Sequence, residues 1–147
     1  MVRISEPLRK RAILAARFCV GSLFRHQGRI PGKKAGEGLD CVGLVLYVGR
    51  QICFEMEDHA TYRPVPGRGQ LESAASKAGL VPLSAKDRQP GDVVLIRPRR
   101  LVQHTGILTD KGIVHADARL GCVVEQGIGQ FPEEQITKAF RFPVTGD

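Results

Sequence analysis

Gly38-Leu39-Asp40-Cys41-Val42-Gly43-Leu44 decides how this chain is read, because it joins a helix start to a potential nucleophile. Aspartate is a favoured N-cap residue whose carboxylate accepts unpaired amides of the first turn, so Asp40 as cap places Cys41 at the first helical position. The helix dipole and the free amides there favour an anion, and Cys41 is expected to ionise more readily than the other thiols. Val42, Val45, Leu46, Gly49 and Cys53 continue at helical spacing. Gly43 and Gly49 each weaken the helix by about 1 kcal/mol relative to Ala, a cost that tight packing against a sheet would explain.

Working outward, Ser5-Glu6-Pro7 reads as a helix start, with Leu8, Ala12, Ala15, Ala16 and Cys19 at helical spacing to about Val20. Gly28 to Gly38 holds four glycines, Pro31 and Lys33-Lys34, which predicts an exposed loop. A second loop is expected over 58–69, then a short helix from Leu71 to Ala78 closed by Gly79. The periodicity then changes. Pro90-Gly91-Asp92 turns into Val93 to Ile96, followed by Gln103 to Thr109, Ile113 to Ala116 and a strand from Cys122 to near Gln126. Helices first and strands afterwards predict an α+β fold, N-terminal helices packed on an antiparallel sheet of four or more strands, with residues 1–147 forming one domain.

Composition narrows the function. Hydrophobic residues at 42% and charged residues at 25% suit a globular core. The longest uncharged apolar run, Cys41 to Gly49, is far short of the roughly 20 residues of a membrane helix, so no membrane insertion is expected. Arg17 interrupts the apolar run that follows Arg9-Lys10-Arg11, which argues for cytoplasmic synthesis without a signal peptide. The net charge of +7 attracts acidic partners. Nucleic acid is not expected among them, because Trp is absent, aromatics are 5% and no recognition motif is present. Cys19, Cys41, Cys53 and Cys122 are far apart without a C-x-x-C pair, so neither a disulfide framework nor a metal or other cofactor is indicated. Cys19, Cys53 and Cys122 read as packing residues.

Two histidines can serve the cysteine. If the turn after Leu108 has two or four residues, Leu108 pairs with Ile113, Gly106 with His115 and His104 with Asp117, and both histidines share one sheet face. A three-residue turn would separate them. With the even register His104 can act as base toward Cys41 while His115 or Asp117 orients it, and the histidine-bearing face is expected to be the one that meets the Cys41 helix.

Asp40-Cys41-Val42-Gly43-Leu44, Pro90-Gly91-Asp92-Val93, His104-Thr105-Gly106-Ile107 and Ile113-Val114-His115-Ala116, in this order and spacing, resemble the NlpC family of papain-like cell-wall cysteine peptidases over most of residues 12 to 142. The resemblance implies a papain-like fold, Cys41 as nucleophile, His104 as base and His115 as orienting residue. It also implies cleavage of peptidoglycan stem peptides, usually between D-glutamate and a diamino acid. Phe24 to Arg29 and Ala139 to Pro143 are similar to members encoded with phage tails and prophages, which implies tail proteins as partners and delivery to the wall in a phage-like particle. Many members carry a tyrosine where this chain has Phe24. Arg25, Arg29, Arg99 and Arg100 are candidates for binding the carboxylates of the stem peptide. The competing readings are a non-catalytic phage-tail module, a basic nucleic-acid-binding domain, and a zinc hydrolase built on Cys41, His104 and His115.

Overall fold

A computed structural model describes residues 5–58, 70–99, 102–127 and 135–143. The Ser5 hydroxyl accepts the Leu8 amide at 3.4 Å and starts α1, Glu6–Phe18, two residues shorter than the sequence suggests because Cys19 is already its C-cap. Leu8, Ala12, Ala15, Ala16 and Cys19 are buried along one side of it. That stripe packs against α2, Cys41–Gln51, whose N-cap is Asp40 as expected. The third helix, α3, spans Gln70–Lys77, and Gly79 follows it at φ +94°. Of the loop expected over 58–69, residues 59–69 lie outside the described residues.

The stretch from Gly28 to Gly38 is more ordered than its glycines suggest. Arg29–Ile30 (β1) and Gly38–Leu39 (β2) pair antiparallel, Arg29 opposite Leu39. The glycines permit close approach: a Cβ on Gly28 would lie 2.3 Å from the Gly38 carbonyl oxygen, and one on Gly43 would lie 2.0 Å from that of Gly28. Both contacts are with backbone, which cannot swing aside, so the hairpin is pressed onto the first turn of α2.

Six further strands build one antiparallel sheet: β3 (Val81–Leu83), β4 (Val93–Arg99), β5 (Val102–Leu108), β6 (Gly112–Asp117), β7 (Cys122–Gly127) and β8 (Ile136–Arg141). Their order is β3-β8-β4-β5-β6-β7. Four were expected. The chain's last strand, β8, enters the sheet beside β4, where Val94 pairs with Ala139, and β3 pairs with it through Val81 and Arg141. Alternation divides the sheet's apolar side chains into two layers. Val93, Leu95, Ile107, Val114, Val123 and Phe140 face α1 and α2, whereas Val94, Ile96, Leu108, Ile113, Ile136 and Ala139 form a second cluster partly covered by Leu83 and Ala85. Asp92 accepts the Gln89 amide at 2.8 Å, closing the Pro90-Gly91 turn. Its carboxylate also takes both ends of the Arg141 guanidinium, at 2.9 and 2.8 Å, so the buried turn is tied to the end of β8.

Candidate active site

Asp40 organises the helix start. Its Oδ1 accepts the Gly43 amide at 2.8 Å and its Oδ2 accepts the Gln27 amide at 2.8 Å. Gln27 supplies that amide from a left-handed backbone, φ 59°. Arg29 donates Nη1 to Asp40 at 3.1 Å and Nε to Asp58 at 2.8 Å. The guanidinium is thus already engaged by two carboxylates, and Arg29 positions the N-cap instead of standing on an open rim.

Cys41 follows directly and is buried. The backbone amides of Thr105, Val42 and Cys41 itself favour the ionised form. Burial outweighs them, and with the adjoining Asp40 carboxylate it pushes the thiol up to about 12. Helix-start activation therefore does not leave a thiolate at rest, because removing the sulfur from water costs more than the amides return. In the resting protein burial thus works against the ready ionisation expected of Cys41. Cys53, expected to be packed, is exposed at φ 63°, while Cys19 is buried and Cys122 half-buried.

The β5–β6 turn carries the even register. Leu108 pairs with Ile113, Ile107 with Val114, and the turn closes with the Thr109 amide on the Gly112 carbonyl at 2.7 Å. His104 and His115 consequently meet, Nε2 to Nδ1 at 2.9 Å, with their rings edge to face at 81°. A Cβ on Gly106 would lie 2.7 Å from the Val114 oxygen and 3.1 Å from the His115 Cβ, so only glycine lets the second ring come this close. Gly106→Ala is expected to cost about 1–3 kcal/mol and to separate the rings, seen as a lower denaturation midpoint with activity falling further than stability explains.

The histidines do not lie on the helix-packed face. Alternation groups His104 with Leu108 and His115 with Ile113, on the side opposite Ile107 and Val114. The helix that Cys41 begins packs against β5, the strand that carries His104. Asp117, the rival orienting residue, accepts the Arg119 and Leu120 amides at 2.8 and 3.1 Å and shapes the β6–β7 turn. A residue not anticipated from sequence completes the row: His115 Nε2 is hydrogen-bonded to Gln126 Oε1. Its signal was the β6–β7 register, in which Gln126 stands opposite Ile113, two residues from His115.

Burial, reinforced by His115, pushes His104 down to about 4, and burial lowers His115 as well. Both rings are neutral near pH 7. The folded protein then binds fewer protons than the unfolded chain below the ordinary histidine value of about 6.5. Stability should be level above pH 6.5, fall as the pH drops from 6.5 toward 4, and lose that sensitivity in part in His104→Gln. Melting temperatures at half-unit pH steps measure this; at about 1.4 kcal/mol per pH unit of difference, the wild type should lose several degrees.

Arg25 is exposed in the turn before Gly28, its amide on the Leu39 carbonyl at 3.1 Å. Arg99 ends β4, and Arg100 lies outside the described residues. Phe24 is partly buried against the core and bridges Leu39, two residues before Cys41. Among the described residues no group of three His, Cys, Asp or Glu is placed to hold a metal. No described helix is long and apolar enough to cross a membrane.

The profile of the NlpC/P60 family matches residues 21–141. No curated protein sequence matches the chain. Among solved structures, the NlpC/p60 domain of the peptidoglycan hydrolase SagA is similar at TM-score 0.63 and 18% identity, covering 91% of this chain and 98% of that one. NlpC2 from Trichomonas vaginalis is similar at TM-score 0.62 and 17% identity, over 97% of this chain and 48% of that one. The peptidoglycan hydrolase RipB from Mycobacterium tuberculosis is similar at 0.57 and 16%, over 98% and 70%. The chain thus spans about half the length of the Trichomonas protein. None of these relatives supports the narrower likeness to phage-tail members.

Proposed function

The chain belongs to the NlpC/P60 family of cell-wall peptidases, and from that premise we propose that it is a cysteine endopeptidase acting on peptidoglycan stem peptides, at the bond between D-glutamate and a diamino acid. The observation that supports this most is the histidine pair, His104 Nε2 to His115 Nδ1 at 2.9 Å, on two strands against which the helix begun by Cys41 packs. Cys41 is the nucleophile, His104 the base and His115 the orienting residue.

The resting pair is neutral, so the thiol proton moves to His104 as the sulfur attacks the scissile carbonyl carbon. The amides of Thr105, Val42 and Cys41 hold the sulfur's charge until the C–S bond forms. His104, now an imidazolium, gives the proton to the leaving amine as the C–N bond breaks, leaving a thioester. Water then hydrolyses the thioester with His104 again as base, which returns the proton to Cys41. Because His104 stays unprotonated far below pH 6.5, turnover should persist to about pH 5.

Substrate carboxylates are met by the basic surface, with Arg25 its exposed member near the helix start; Arg99 and Arg100 are the further candidates that the sequence offers. Arg25→Ala should raise KM more than it lowers kcat, with an effect that fades as salt screens it over about 8–10 Å. Arg29→Ala should behave differently, lowering stability through Asp40 with an effect on KM that salt does not remove. Steady-state kinetics on muropeptides at two ionic strengths, together with melting curves, separate the two. The deciding experiment is digestion of purified peptidoglycan by wild type and Cys41→Ala, with the new termini identified by mass spectrometry. Release of D-glutamyl ends by the wild type alone is the expected result, and no release by the wild type would overturn the proposal.

A further inference from the structure

Two neutral histidines in hydrogen-bond contact can hold their protons in two ways, and only one suits a base. His104 Nε2 and His115 Nδ1 face each other at 2.9 Å, so one of these nitrogens carries the shared proton and the other accepts it. If His115 Nδ1 carries it, His104 accepts at Nε2, its remaining proton sits on Nδ1, and the ring has no lone pair left for a thiol. If His104 Nε2 carries it, His104 Nδ1 is bare and can take a proton. Nothing within the pair selects between these states. The next contact does. His115 Nε2 is hydrogen-bonded to Gln126 Oε1, and an amide oxygen only accepts, so the His115 proton is drawn to Nε2 and its Nδ1 is left as an acceptor.

We propose that Gln126, through its side-chain oxygen on His115 Nε2, is a positioning residue that fixes the tautomers of both histidines so that His104 presents a bare Nδ1 to Cys41. The inference rests on the peptidase reading above, but its direct readout does not. The proton moves along one path: Cys41 gives it to His104 Nδ1, His104 keeps its Nε2 proton in the bond to His115 Nδ1, and His115 keeps its own on Gln126. No proton enters or leaves the row, and His115 stays neutral. Gln126 is held in β7 by the β6–β7 ladder, in which Ile113 and His115 stand opposite Gln126 and Val124. His115 is itself buried. The row is therefore set by strand register instead of by mobile side chains.

The test compares wild type with Gln126→Leu, which has no acceptor, and Gln126→Glu, which has only acceptors. In ¹⁵N-labelled protein near pH 7, imidazole nitrogen shifts distinguish bare from protonated positions. Wild type should show His115 protonated on Nε2 and His104 bare on Nδ1, Glu should keep that pattern, and Leu should mix the tautomers. On muropeptides, Gln126→Leu should lose roughly 10–100-fold in kcat, the range seen when an orienting outer-shell partner is removed, with KM within about twofold and the melting temperature little changed. Gln126→Glu should recover most of kcat and move the acid limb of the pH profile upward, because a carboxylate favours a protonated neighbour. A wild-type His115 protonated on Nδ1, or a Leu variant with unchanged tautomers and kcat, would overturn the inference. Wild-type tautomers as stated together with no cleavage of peptidoglycan would instead count against the peptidase reading and leave the role of Gln126 in the row intact.

Discussion

Cys41→Ser is expected to abolish peptidoglycan cleavage, by roughly 10³-fold or more, while leaving the fold almost untouched. The hydroxyl is close in size to the thiol and can use the same amides of Thr105, Val42 and Cys41, so the melting temperature should move by only about 2–4 °C. It cannot replace the sulfur as nucleophile, because a serine hydroxyl beside His104 gives up its proton far less readily. The same burial that holds the thiol near 12 makes a second outcome visible. Iodoacetamide should label exposed Cys53 before Cys41 in the resting protein, since alkylation requires thiolate and access. Peptide mapping over time measures the order. A folded Cys41→Ser protein with full turnover would remove Cys41 from the chemistry.

The largest loss of stability is expected at the opposite end of the sheet. Asp92 is fully buried and Arg141 is 4% exposed, and their two parallel contacts at 2.9 and 2.8 Å join the turn before β4 to the last residue of β8. The hydrogen bonds that Arg141 donates to Asp92 raise the guanidinium above its ordinary value. Removing one partner strands a charge in the interior, which costs about 3–5 kcal/mol. Arg141→Met and Asp92→Leu should each unfold at much lower urea. The double variant should recover a large part of the loss, because no charge is then left unpaired. Two single variants each costing less than about 1 kcal/mol would show that the pair is solvated and does not anchor β8.

What the amino-acid sequence determined by itself is local and covalent in origin. Asp40 caps the helix that Cys41 begins because a carboxylate three residues before Gly43 can reach that amide within one turn. His104 and His115 meet because the turn from Thr109 to Gly112 sets a register counted in residues, and side chains alternate with period two. Helices preceding strands already implied an antiparallel α+β fold. The place of β8 inside the sheet, between β3 and β4, was not legible: Lys138 and Arg141 interrupt its apolar alternation, and Arg141 is tolerated inside because Asp92, 49 residues earlier, neutralises it. Nor were the β1–β2 pairing, the two-carboxylate hold on Arg29, the exposure of Cys53 or the contact between His115 and Gln126. The charge states of the site belong to the same class. A cysteine at a helix start reads as an activated thiol, yet the resting thiol and both imidazoles are neutral, since desolvation depends on how many other segments close over a group, and that number exists only once the chain has folded.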